Sequence, residues 1–486
     1  MIRGGEIRYL MQKTEYFRKA PELLLQFILY KLIADQGEAL PIKAILAEDS
    51  VQAVLEKISD EFRRLNQVPA YRDLFVQVSP LQLELDINGS ERTEGNFSLE
   101  QSTSLFSPEI INPGFLKRID QMDFTDYSPT DWASVCDWVL TMSDLQISRR
   151  RTPLSFTLSL ERLIVGLALM DKRKQEVSIY DPNMDLGNLL ALAFNEQNKL
   201  NGHQKNAYSY LLIRFNLLAH GIPEDQYQIQ LGDPIENDWQ TDQKTPVKFD
   251  VVVSNLSKGE SWSGNKKLAD DYRFKHYTLP PKSMAEYMYI LHGLAHLKDD
   301  GVMVVCLPAG ALYRVGLEEK LRKELVEQHV IDSLIAVPAR YTTQTRGNSV
   351  VMILKKQQRK ERTGIYMLDV NDQVLYDRHI VPGVPGLRQI VDNYNNRAIV
   401  PGRSALASWD AIAANDYNLT ILKYIMGCKP QTDEEQIEYQ MSDYTREEQK
   451  LRDGEGRLRQ LMRKLDSEKY RQMTHNKRPR IEKNKD

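Results

Sequence analysis

Residues 249–308, FDVVVSNLSKGESWSGNKKLADDYRFKHYTLPPKSMAEYMYILHGLAHLKDDGVMVVCLP, decide the fold. FDVVVSN and GVMVVCLP are short valine-rich runs, the composition of strands buried on both faces. SMAEYMYILHGLAHLK between them is long and apolar enough for a helix against a sheet. Moving outward, the same alternation runs from about 146 to 400. VSIYDP, YQIQLGD, VIDSLIAVP and VVMILKK read as strands, and LGNLLALAFNEQ, NAYSYLLIRFNLLAHG and LEEKLRKELVEQ as helices. Such alternation predicts an α/β domain, a mostly parallel twisted sheet with helices on both faces. Ligands of these sheets bind beyond the carboxyl ends of the strands, so the residues just after each strand are the candidates for function.

The flanks differ. Residues 1–145 read as an N-terminal helical domain. Within it PELLLQFILYKLIAD is apolar nearly all round, with Pro21 at a first helical position, and is expected to be buried. Residues 91–112 are polar and loop-like, residues 401–430 form a closing segment, and residues 431–486 a charged C-terminal helix and tail. Apolar residues make up 42% and charged residues 27%, as in ordinary soluble proteins. No apolar run nears the 18 or so residues of a membrane span, and the first residues do not build a signal peptide. Cys136, Cys306 and Cys428 are isolated and odd in number. They suggest neither a disulfide framework nor a metal cluster, and a cytoplasmic location is expected. A net charge of −3 argues against an autonomous, charge-driven nucleic-acid binder. Arg149, Arg150 and Arg151 nevertheless form a local basic cluster suited to phosphate contacts.

The motifs come in a recognisable order. Thr152-Pro153 precedes the first helix of the α/β region. Asp181-Pro182 ends VSIY, and Asp185 and Gly187 lie in the turn that follows. Gly202-His203-Gln204 precedes a long helix, Asp233 ends LGD, and FDVVVSN ends at Asn255, followed by Leu256, Ser257 and Lys258. This ordered set, over roughly residues 10–430, resembles the modification subunits of type I restriction-modification systems, a family of N6-adenine DNA methyltransferases. The resemblance implies a Rossmann-like class I methyltransferase domain dependent on S-adenosylmethionine, between a helical N-terminal domain and a helical tail. It implies a cofactor site at Thr152, Pro153, Asp181, Pro182, Asp185, Gly187, Gln204 and Asp233, and a target-adenine site at Asn255, Leu256, Ser257 and Lys258.

The chemistry expected of those positions is altered at three of them. The family loop is Asp-Pro-x-x-Gly-x-Gly-Gly, because glycines let the cofactor approach the backbone. Here Asp185 and Leu186 bring side chains into it and only Gly187 is kept. The family's acid for the ribose hydroxyls becomes Gln204, which carries no charge. The Asn-Pro-Pro-aromatic motif, which grips adenine N6 and stacks on the flipped base, becomes Asn255-Leu256-Ser257-Lys258. Both prolines and the ring are lost. Three departures in an otherwise intact frame predict a fold used without its chemistry: a pseudo-methyltransferase that does not bind S-adenosylmethionine. The alternative is an active adenine-N6 methyltransferase in which Tyr272, Phe274 or Tyr277 replaces the missing ring. Either way the resemblance implies a specificity subunit, a restriction or other effector subunit, and double-stranded DNA as partners, with Arg149, Arg150, Arg151 and Arg346 as candidate DNA contacts.

Two further patterns have plain readings. GESWSG (259–264) has the glycine spacing of a phosphate loop, but Asn265 stands where lysine is needed, so a polar surface loop is expected. His292 and His296 share one helical face without an evident third ligand, so structural histidines are expected and no metal site is assigned.

Overall fold

Phe249–Asn255 (β4) and Leu297–Pro308 (β5) are the middle of a nine-stranded sheet, and their alternation feeds two cores. Val252 of β4 and Met303, Val305 and Leu307 of β5 face one layer; Val251, Val253, Val302, Val304 and Cys306 face the other. Fully burying each aliphatic side chain stabilises the fold by about 1.5–3 kcal/mol. The computed structural model describes residues 21–72, 74–75, 113–122, 131–136, 139, 154–170, 176–239, 246–256, 260–337, 349–357, 362–370, 385–400 and 402–425.

The other strands are Ser178–Asp181 (β1), Lys199–Gln204 (β2), Tyr227–Leu231 (β3), Ile331–Val337 (β6), Ser349–Leu354 (β7), Gly364–Asp369 (β8) and Ser404–Ser408 (β9). The order is β3-β2-β1-β4-β5-β7-β6-β8-β9. The β3-to-β5 half is parallel throughout. β7 lies antiparallel between β5 and β6, and β9 pairs antiparallel with β8. The mostly parallel α/β sheet expected from the alternation is therefore present. Chain direction across the sheet reverses its progression between β1 and β4, the point where such folds place their ligand cleft.

Three elements escaped the sequence reading. KLNGHQ forms β2, although its polar residues do not look like a central strand, and GIYMLD and SALAS form β8 and β9.

Helices cover both faces. Leu154–Ala168 (α4), Asn188–Ala193 (α5), Ala207–Ala219 (α6) and Pro385–Asn396 (α9) supply one core, and Glu286–His296 (α7) and Leu317–Glu327 (α8) the other. Before them Pro21–Asp35 (α1), Val51–Leu65 (α2) and Pro113–Asp120 (α3) share a third core. α1 buries even Gln26 and Lys31, as its all-round apolar pattern requires. Leu211, Leu212 and Phe215 of α6 join this third core, so α6 is packed on both sides. Among the described residues no helix is long and apolar enough to cross a membrane.

Candidate cofactor and target-base site

Asp181, Gln204 and Asn255 are the last residues of β1, β2 and β4, and Asp233 lies two residues beyond β3. Parallel pairing thus gathers the predicted residues along one carboxyl edge. Thr152, Pro153, Arg149, Arg150, Arg151, Arg346, Ser257 and Lys258 fall outside the described residues.

The β1–α5 turn is where a cofactor would need an open cradle, and it is closed. Asp181 is 2% exposed and accepts hydrogen bonds from Ser254 Oγ (2.9 Å) and from the Asn183 amide (3.1 Å). Burial lifts its carboxyl to about 7, against the lowering effect of those two bonds. The side chains expected to obstruct the turn point elsewhere: Asp185 is exposed, and Leu186 packs on the core of α1–α3. The obstruction comes from Met184, which is 2% exposed and turned inward. A Cβ on Gly202 of β2 would lie 2.1 Å from its Sδ. Gly187 has φ 81°, a left-handed conformation that favours glycine, and a Cβ there would meet Ile213 at 3.0 Å and Met184 Cε at 3.4 Å. The one glycine kept in the loop therefore serves the backbone and the core rather than an approaching ligand.

Gln204 fastens this arrangement. Its Nε2 donates to the Met184 carbonyl and, at 3.4 Å, to that of Asp185; its Oε1 accepts from the Asn206 amide at 2.8 Å. The Met184 amide donates to the His203 carbonyl at 3.0 Å. The side chain expected to meet a ribose is thus committed to the loop. A strap crosses above: Glu260 accepts from Lys205 Nζ (2.5 Å) and Asn183 Nδ2 (3.4 Å), joining the segments after β1, β2 and β4. Asp233 accepts from the Ile235 amide at 2.9 Å, closing its own turn, and burial raises its carboxyl. The residues of this edge are a poor fit for S-adenosylmethionine, since only Gly187 of the loop glycines is kept and Gln204, tied to the Met184 carbonyl, stands in place of the ribose acid.

At β4, Asn255 keeps its strand-end place. Leu256 is buried in the core, its amide donating to the Cys306 carbonyl at 2.8 Å. Two of the three aromatics considered as replacement rings lie at the far end of β4 from Asn255. Phe274 is fully buried. Tyr272 donates to Asp238 Oδ2 (2.9 Å) and Tyr277 to Gln328 Oε1 (2.6 Å), and both line a cavity with Lys248 and Ala295, at the opposite edge of the sheet. The GESWSG loop is knit by Trp262, whose Nε1 donates to the Pro281 carbonyl at 3.1 Å, and it has no phosphate-loop form among its described residues.

The two histidines belong to a buried network that the sequence did not reveal. Arg273, a residue no local pattern marks, donates from Nη1 to His292 Nδ1 at 3.0 Å. Because a guanidinium only donates, every role downstream is fixed. His292 Nε2 donates to Tyr180 Oη (2.7 Å), Tyr180 to His203 Nδ1 (3.0 Å), and His203 Nε2 to Gln230 Oε1 (3.1 Å). Burial pushes His203 down to about 4 and His292 well below the ordinary histidine range. The fold also supplies the third group that His292 and His296 lacked: their ring nitrogens and an Asp238 oxygen lie within 4.8 Å of one another. Arg273 Nη1, 3.4 Å from Asp238 Oδ1, takes the place a cation would have there.

The profile of the N-6 DNA methylase family matches residues 152–434. The MpnII type I methylase subunit of Mycoplasma pneumoniae is 29% identical over 290 residues, covering 56% of this chain and 52% of that one. The MjaVII type I methylase subunit of Methanocaldococcus jannaschii is 24% identical over 402 residues, covering 78% and 65%. The chain thus spans between half and two thirds of these relatives' lengths. Among solved structures, the type I restriction-modification methyltransferase subunit from Streptococcus thermophilus superposes with a TM-score of 0.63 at 22% identity, covering 86% of this chain and 94% of that one.

Proposed function

Because the chain belongs to the N-6 DNA methylase family, we propose that it is a modification-subunit-like component of a type I restriction-modification complex that keeps the fold and has given up the cofactor. The observation that carries this reading is the closed β1–α5 turn, with Met184 over Gly202 and Gln204 tied to the Met184 carbonyl. Glycines let a ligand approach the backbone, and the one glycine kept in this loop, Gly187, is packed against Ile213 and Met184. In this role the subunit works beside a specificity subunit on double-stranded DNA, with a restriction or other effector subunit as a further partner. The relatives, which are methylase subunits of type I restriction enzymes, support that assignment.

Calorimetric titration of S-adenosylmethionine into the protein tests the reading. No heat and no rise in melting temperature at millimolar ligand is expected; micromolar binding overturns it. A second reading, an active adenine-N6 methyltransferase, draws on Asn255, which stands at the end of β4. Transfer of a labelled methyl group to DNA by this chain with its specificity subunit would establish that reading instead.

A further inference from the structure

The edge of the sheet opposite the candidate site carries a second pocket that nothing above uses. It is a half-open cavity of about 480 Å³, within the roughly 300–1,000 Å³ of small-molecule sites. Lys248, just before β4, and Lys356, just after the antiparallel β7, both line it, as do Tyr272, His276, Tyr277 and Gln328. It lies about 20 Å from Asn255, the length of β4 at ~3.3 Å per residue.

Its chemistry is that of a phosphate paired with a planar ring. The two ammonium groups sit at the last turn of α7, Lys248 donating to the Ala295 carbonyl and Lys356 to that of Leu297 at 2.6 Å. Each contact uses one of three N–H donors and leaves the others for an anion. The charges are close enough to repel: the Lys356 ammonium is held below its ordinary value by burial and then by Lys248. The nearby carboxylates offset this only in part. Asp299 acts on both lysines, while Asp238 is engaged by Arg273, His296 and Tyr272. Beside the lysines stand three planar side chains, and Tyr272 is 39% exposed. Exposed rings of this kind stack on nucleobases.

We propose that this pocket binds a nucleoside 5′-phosphate, the phosphate between Lys248 and Lys356 and the base against the exposed Tyr272. The same chemistry is offered by a free nucleotide and by the phosphorylated end of a strand. The site does not depend on whether the cofactor cleft is closed.

Titration calorimetry of the full chain with adenosine 5′-monophosphate tests it, with adenosine and inorganic phosphate as controls. The monophosphate is expected to bind at least tenfold more tightly than either control. Lys248→Ala and Lys356→Ala are each expected to weaken it tenfold or more, and Tyr272→Leu, which leaves both ammonium groups in place, several-fold. Melting curves identify any variant that fails to fold, and Tyr272→Leu then carries the test. No binding at millimolar monophosphate, or binding unchanged in folded Lys356→Ala or Tyr272→Leu, overturns the proposal and leaves the lysines as caps of α7. A 5′-phosphorylated trinucleotide bound with the same lysine dependence supports the proposal with a strand end as ligand. Rejection of the trinucleotide with retention of the monophosphate supports it with a free nucleotide.

Discussion

Met184 and Gly202 should behave as one energetic unit. Truncating Met184 to Ala leaves a cavity beneath the β1–α5 turn, and buried Met→Ala changes cost about 2–5 kcal/mol. Adding a methyl to Gly202 puts it 2.1 Å from Met184 Sδ, 2.9 Å from its Cγ and 3.3 Å from the Asp181 carbonyl. Gly202→Ala therefore overpacks the same spot, at a cost of about 1–3 kcal/mol. In the double variant the new methyl enters the space that Met184 vacates. The pair should thus fall short of the sum of the singles by about 1–3 kcal/mol, the range of coupling between residues in contact. Urea midpoints and melting temperatures of the three variants and the parent give this number directly. If the double variant equals the sum within about 0.5 kcal/mol, Met184 does not fill the space over Gly202 and does not close the turn.

Three further outcomes follow from the same structure. Arg273→Met strips buried partners from Asp238, Asp271 and His292, and should destabilise by about 3–5 kcal/mol, as loss of one member of a buried ion pair does; thermal melts measure it. Asp181 holds its proton up to about 7 in the folded chain, against an ordinary aspartate value of about 3.9, so the folded state binds the extra proton. Its contribution is full below about 4 and is lost as pH rises through about 7, by up to roughly 4 kcal/mol. Asp181→Asn should remove that slope in a pH series of urea midpoints. His203, lowered to about 4, contributes the opposite slope, costing stability as pH falls from about 6.5. Rebuilding the target-base motif with Leu256→Pro, Ser257→Pro and Lys258→Phe should yield no methyl transfer to DNA in a labelled-methyl assay. Proline at 256 also removes the amide that donates to Cys306, which should cost about 1–3 kcal/mol in a melt.

What could be read in the sequence was what repeats locally. β4, β5 and β7 face core on both sides, so valine-rich runs marked them without further information. β2 was hidden because its residues are chosen for contacts made far away. His203 serves a ring in β1 and a glutamine in β3, and Gln204 serves the turn after β1. The Arg273 network was hidden for the same reason, since Tyr180 and His292 are 112 residues apart. The insertion of β7 between β5 and β6 follows from pairing, which alternation does not encode.

The loss of the glycine loop was legible, but its physical consequence was not, because composition does not say which way a side chain turns. A loop that exchanges glycines for larger residues must put the new side chains somewhere. Asp185 goes to solvent, Leu186 to the helical core and Met184 inward. Once Met184 is inside, position 202 must stay small, whatever its former use. The freed end of β2 then presents Gln204 to the loop's carbonyls, and an amide can donate there where a carboxylate could only repel. Glutamine in place of the ribose acid is on this argument a part of the closed turn, fitted to Met184 and Gly202, and not a separate loss. Gln204→Glu alone should therefore loosen the turn without creating a cofactor site.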